Sequence, residues 1–133
     1  METKVVELTT GNKAGVFDLT SEVSEFCRGR GDGLLNVFAP HATAGIAIIE
    51  MGAGSDRDLM SILDEILPPD HPWRHSHGSP GHGRDHVLPA LVAPSMTIPV
   101  VDSSPALGTW QSIVLVDTNR DNPHRRVRLS FLS

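Results

Sequence analysis

The stretch LLNVFAPHATAGIAIIEMGAGSDRDLMSILDEI, residues 34–66, decides the fold. Leu34 to Phe38 and Ile46 to Glu50 are short, strand-like apolar runs, with Pro40-His41-Ala42-Thr43 between them. Ser55 followed by Asp58 resembles a capping box. Leu59, Ile62, Leu63 and Ile66 then recur at helical spacing until Pro68-Pro69 ends the run. Strand, strand, helix is the reading.

Toward the N-terminus, Lys4 to Thr9 mixes β-branched and polar residues as a strand does, and a turn at Gly11-Asn12 leads to a second strand around Val16 to Leu19. Thr20 offers an N-cap. Val23, Phe26 and Cys27 fall at i, i+3 and i+4, which predicts a helix over about 21–29 stopped by Gly31 and Gly33. Toward the C-terminus, residues 68–86 are rich in Pro, Gly and His and lack apolar periodicity; a loop of that length in a small domain is usually functional or disordered. Ser95 to Val101, Gln111 to Asp117 and Arg126 to Phe131 read as three more strands. The expectation is one α+β domain over residues 1–133, an antiparallel β-sandwich or open barrel with two main helices.

The bulk properties narrow the function. Of 133 residues 39% are hydrophobic and 20% charged, which fits a globular chain and neither a disordered tail nor a membrane protein. A net charge of −5 disfavours nonspecific nucleic-acid binding, which draws on Lys and Arg. No run approaches the ~18 apolar residues of a membrane span. The segment METKVVELTT is charged and alternating rather than a signal peptide. Cys27 is the only cysteine, so no intrachain disulfide forms, and a cytoplasmic location is the default.

Seven histidines are present, five of them between His71 and His86. Imidazole is the commonest protein ligand for zinc and similar metals and titrates near neutrality. His75 and His77 would share one face of a strand, whereas His82 and His86 would share one face of a helix. Spacing alone weighs a metal or catalytic role evenly against a solvated loop. The solvated reading is strongest for His71, His77 and His82, among Pro, Ser and Gly, and for His124 in a hairpin turn. His41 ends a strand before the small-residue turn Ala42-Thr43-Ala44-Gly45, where it either lets a ligand approach the backbone or simply caps the strand end, two readings of equal weight.

Several blocks resemble those of the secondary thiamine-phosphate synthase, or YjbQ, family. Pro40-His41-Ala42-Thr43-Ala44-Gly45-Ile46, followed by Glu50 and Asp56, is similar to its PHTTAGI block and downstream acids. Arg74-His75 and Asp85-His86 resemble its central histidine pair, Ser95 to Val100 its SVTIP block, Leu107-Gly108-Thr109-Trp110-Gln111 its LGTWQ block, and Arg125 to Arg128 its Arg-rich final strand. The likeness runs from about residue 4 to 131, in family order. It implies a homotrimer with the site near a subunit boundary and a divalent metal, zinc first, held by His41, His75 and His86. It also implies a small phosphorylated ligand near Thr43, Trp110, Gln111, Arg126 and Arg128. Two departures bear on the substrate: Ser76 to Arg84 replaces an acidic, Asn-containing stretch, and Leu88 stands where the family commonly has Lys.

Three functions follow as expectations. A transferase would join a pyrimidine pyrophosphate to a thiazole phosphate, weakly, because the cations for two phosphates are scarce. A metal-dependent hydrolase would use Glu50 or Asp56 as general base; the alternative for Asp56 is helix-start electrostatics. A nonenzymatic metal or small-ligand binding protein explains the histidines equally.

Overall fold

The strand Ile113-Val114-Leu115-Val116 is apolar at every position because it lies between two layers. In the computed structural model, which describes residues 1–133, Ile113 and Leu115 belong to one core and Val114 and Val116 to another. The chain runs β1 (Glu2–Thr9), β2 (Gly15–Asp18), α1 (Thr20–Cys27), β3 (Gly33–Phe38), β4 (Ala44–Ile49) and α2 (Ser55–Ile66). It continues with α3 (His82–Asp85), α4 (Leu88–Leu91), β5 (Ser95–Val101), β6 (Ser104–Pro105), β7 (Ser112–Asp117) and β8 (His124–Leu132). A five-stranded sheet has the order β1-β8-β3-β5-β6 and a three-stranded sheet the order β2-β7-β4. Every pairing is antiparallel.

The larger core fills the space between the sheets. Leu35 and Val37 of β3, Val127, Leu129 and Phe131 of β8, and Ile46 of β4 meet Val23, Phe26 and Cys27 of α1 there. Burying a side chain of this kind stabilises by roughly 1.5–3 kcal/mol. Leu63 and Leu67 at the end of α2, with Leu88 of α4, cover the other face of the smaller sheet. Of the two expected forms, sandwich or open barrel, the antiparallel α+β fold takes curled sheets that make a half-barrel, with two single-turn helices added to the two main ones. No helix is long and apolar enough to cross a membrane.

Two local expectations are corrected. Thr20 is not an N-cap: it lies inside α1, its N–H donates to Asp18 Oδ1 at 2.9 Å and its hydroxyl accepts from Ile113 N–H at 3.0 Å. The Ser55–Asp58 capping box does not form, because Ser55 is already helical and Gly54, at φ 101°, caps the helix with backbone only. The Arg-rich final strand lies inside its sheet, where β8 pairs with β1 on one side and β3 on the other.

One crossing positions the histidine-bearing segment. After α4 the backbone passes directly over β4, where Ile46 N–H donates to the Ala93 carbonyl at 2.8 Å. A Cβ on residue 45 would fall on the Val92 carbonyl, so this crossing requires Gly45.

Candidate functional site

The segment after α2 carries no apolar rhythm, yet polar contacts hold it in place. Trp73 Nε1–H donates to the Pro68 carbonyl at 3.0 Å. Arg84, buried, donates from Nη1 to Asp64 Oδ1 at 2.5 Å and to the Leu67 carbonyl at 3.3 Å, fastening α3 to the end of α2. Asp85 is 3% exposed and accepts twice, from the Thr118 hydroxyl at 2.6 Å and from His82 Nδ1–H at 3.1 Å. His82 and His86 therefore project together from one helical turn, at the i, i+4 spacing that shares a face.

His75 joins them. One ligand atom from each of His75, His82 and His86 lies within 4.8 Å of the others. The His75 ring stacks on that of His86 at 3.9 Å, and the His82 and His86 rings stand at 90°. Asp85 fixes the His82 proton on Nδ1, which leaves the Nε2 lone pair aimed at His86 Nε2, 3.1 Å away. Two imidazole nitrogens on one tetrahedral zinc ion stand about 3.3–3.4 Å apart, given Zn–N of about 2.0–2.1 Å. His75 Nδ1 is buried without any hydrogen-bond partner. Burial, and then the neighbouring His75 and His82, lower the His86 pKa, while Asp85 opposes the shift. Beside the trio, a cavity of about 330 Å³ is lined by Trp73, Arg74, His75, His86 and Val87.

The other expected site residues divide between two places. His41 lies outside the group formed by His75, His82 and His86 within this chain. His41 Nε2 accepts the Arg126 backbone N–H at 2.9 Å, beside the buried Arg125–Asp117 pair. Burial first, and Arg125 second, lower its pKa. Thr43 is buried and accepts from Arg125 Nη2 at 2.7 Å. Arg126 and Arg128 point outward, with Arg126 3.7 Å from Glu7 and Arg128 bonded to Thr3 Oγ1.

Glu50 follows the far end of β4, and β4 and β7 run antiparallel with Ala44 opposite Asp117 and Ile49 opposite Ser112. Six residues of strand separate Ala44 from Glu50, about 20 Å. Asp56 is in the first turn of α2, about 12 Å along the helix from Asp64. Trp110 is 73% exposed, and Gln111 Oε1 accepts the Gly108 N–H at 2.7 Å to close that turn.

His82 and Asp85 are what the solvated-loop reading missed. His82 is only 9% exposed, and the signal was present as His82 and His86 at helical spacing with a carboxylate between them.

Residues 4–133 match the family described as UPF0047 protein YjbQ-like. The chain belongs to this YjbQ-like family. A UPF0047 protein of Mycobacterium tuberculosis is 60% identical over 132 residues, covering 99% of this chain and 98% of the relative. The UPF0047 protein YugU of Bacillus subtilis is 31% identical over 128 residues, 92% of each chain. Among solved structures, a hypothetical protein of Aeropyrum pernix K1 superposes with a TM-score of 0.88 at 33% identity, over 100% of this chain and 99% of its own. A YbjQ-like protein of unknown function from Sulfolobus solfataricus reaches 0.92 at 22% identity, covering 99% and 96%, a likeness of fold alone. The YjbQ-like fold thus extends over the whole chain, including the turns that carry His82 and His86.

Proposed function

We propose that this YjbQ-like protein binds a divalent transition-metal ion, zinc first, through His75, His82 and His86, and acts on a small phosphorylated ligand beside it. The observation that carries the reading is the buried, unpartnered Nδ1 of His75 within a trio whose ligand atoms lie within 4.8 Å. An unsatisfied buried polar atom costs about 1–3 kcal/mol, and a bound ion is one of the few explanations for retaining it. An all-imidazole donor set suits Zn, Ni or Cu and disfavours Mg or Ca. Asp85 orients His82 through Nδ1–H, the carboxylate–histidine arrangement that steadies metal-binding imidazoles. When bound, such an ion supplies Lewis acidity toward a phosphoryl oxygen.

Arg74 supports the phosphorylated ligand. It is the one arginine lining the cavity of His75 and His86, and no carboxylate pairs with it. A planar guanidinium there suits one phosphate. Arg84 and Arg125, by contrast, are held by Asp64 and Asp117. Joining a pyrimidine pyrophosphate to a thiazole phosphate presents two phosphorylated partners at once, so thiamine-phosphate synthase turnover stays low. Hydrolysis of a singly phosphorylated substrate fits the single arginine of this cavity better. Glu50 and Asp56 enter either reaction only through a neighbouring copy, as in the homotrimer the family resemblance implies.

Metal analysis of untagged protein tests the first half of the reading. About one zinc per chain, lost in His82→Ala, supports it. Equal metal content in both proteins, or none in wild type after zinc dialysis, overturns it. A phosphate-release screen beside the two-precursor assay tests the second half: synthase turnover near the ordinary enzyme median of about 10 per second defeats the hydrolytic preference.

A further inference from the structure

We propose that His77 is a fourth, loop-borne ligand that closes the metal site. The proposal rests on the metal reading above and extends it from three protein ligands to four. His77 is two residues from His75, and its ring centroid lies 4.0 Å from that of His75, 5.9 Å from His82 and 6.4 Å from His86. Its imidazole is exposed, and beyond ring contacts with neighbouring histidines it holds no carboxylate. Rotation about the side-chain bonds of an exposed residue takes only picoseconds to nanoseconds, which makes the remaining distance short in practice.

The loop that carries His77 is folded against the trio. Ser79 N–H donates to Asp121 Oδ2 at 3.0 Å, and the same oxygen lies 3.3 Å from His82 Nδ1. Gly78 has φ +87°, and a Cβ there would stand 2.8 Å from His82 Cδ2 and 2.6 Å from Asp121 Oδ2. Only glycine lets the backbone next to His77 lie on the His82 ring.

Four imidazoles complete a tetrahedral sphere, whereas three leave a position for an outside ligand. His77 in place therefore holds the ion closed, and lifting of residues 76–79 exposes it to an anion near Arg74. The chemistry of access, rather than of binding, would then reside in this loop.

The test uses the whole protein loaded with zinc, wild type beside His77→Ala, examined by X-ray absorption. Four imidazoles in wild type and three in the variant are expected. Zinc affinity should fall at least about 10–100-fold, the loss that even outer groups of a metal site produce. In the cobalt-loaded proteins, azide should shift the visible spectrum of the variant and leave wild type unchanged. The same imidazole number and the same affinity in both overturn the role of His77. A parallel His75→Ala protein separates the two ideas: zinc binding equal to wild type there brings down the three-histidine site itself, as does a wild type that binds no zinc. Metal-free His77→Ala should melt with wild type, because the side chain is exposed.

Discussion

Two polar clusters flank the Asp117 end of β7, and they are completed differently. In one, Arg125 Nε and Nη2 donate to the Asp117 carboxylate at 2.6 and 2.9 Å, Nη2 also reaches Thr43, and Asn119 N–H caps Asp117 Oδ1 at 2.9 Å. Arg125 is 2% exposed and Asp117 0%, and their hydrogen bonds come from the chain itself. In the other, Asp85 satisfies one nitrogen of His82, two imidazole nitrogens face each other, and His75 Nδ1 has no partner. A buried polar group that the protein satisfies alone belongs to the architecture. One that it leaves unsatisfied marks where something else belongs.

The contrast can be broken most forcefully at Asp117. Asp117→Ala strands a buried guanidinium, which costs about 3–5 kcal/mol. For a domain of this size that is a Tm drop of roughly 10–18 °C in thermal unfolding; a shift under about 3 °C shows the pair is not structural.

His75→Ala should behave the opposite way. Its metal-free melting stays near wild type, because the imidazole nitrogen had no partner to lose. Zinc at about 100 times its Kd should stabilise wild type by roughly 2.7 kcal/mol and leave the variant unmoved. An equal zinc response in both erases the distinction between the clusters.

Thr43→Val sharpens the first cluster. It removes one acceptor from Arg125 Nη2 while Asp117 keeps its own, so the loss should sit near about 1.5 kcal/mol in urea unfolding, the low end for a hydrogen bond to a charged group. A loss comparable with that of Asp117→Ala would make Thr43 more than an auxiliary acceptor.

The smallest effect is in pH. Burial, with Arg125 second, lowers the His41 pKa from 6.5. In the window below 6.5 the unfolded chain takes up a proton that the folded chain refuses, so stability falls as pH drops toward the folded value and then levels. His41→Gln should flatten that part of the stability curve. An unchanged slope in urea midpoints below pH 6.5 assigns it to other groups.

Much of the fold was legible because strand periodicity survives in the sequence. The strands read at Lys4 to Thr9 and Ser95 to Val101 fall within β1 and on β5. The single turns α3 and α4 could not be read, since four residues cannot sustain a helix on local terms and tertiary bonds from Arg84 and Asp85 hold α3. The cap signals at Thr20 and Ser55 failed for a related reason: each has the composition of a cap, but the chain enters the helix one residue earlier. At the site, spacing revealed His82 and His86 as a pair. It could not reveal that Thr118, 33 residues beyond Asp85, anchors the carboxylate that turns His82 inward. Nor does the linear order of Glu50, Asp56, Trp110 and Gln111 disclose that an antiparallel pairing carries Glu50 and Gln111 to the far end of the smaller sheet.

The crossing at Gly45 has a consequence for how a ligand would be held. It fastens the segment bearing His82 and His86 to β4 through Ile46 and Ala93, while Arg84 fastens the same segment to α2. Fixing a backbone residue removes about 1–2 kcal/mol of conformational entropy. For these two histidines that loss is complete when the chain folds, so arrival of a ligand need not order them again. His75 and His77 lie on the approach to this anchored segment, where exposed residues alternate with half-buried ones. The site thus joins a rigid half to an adaptable half. Folding alone sets the first half, and the arrival of a guest completes the second.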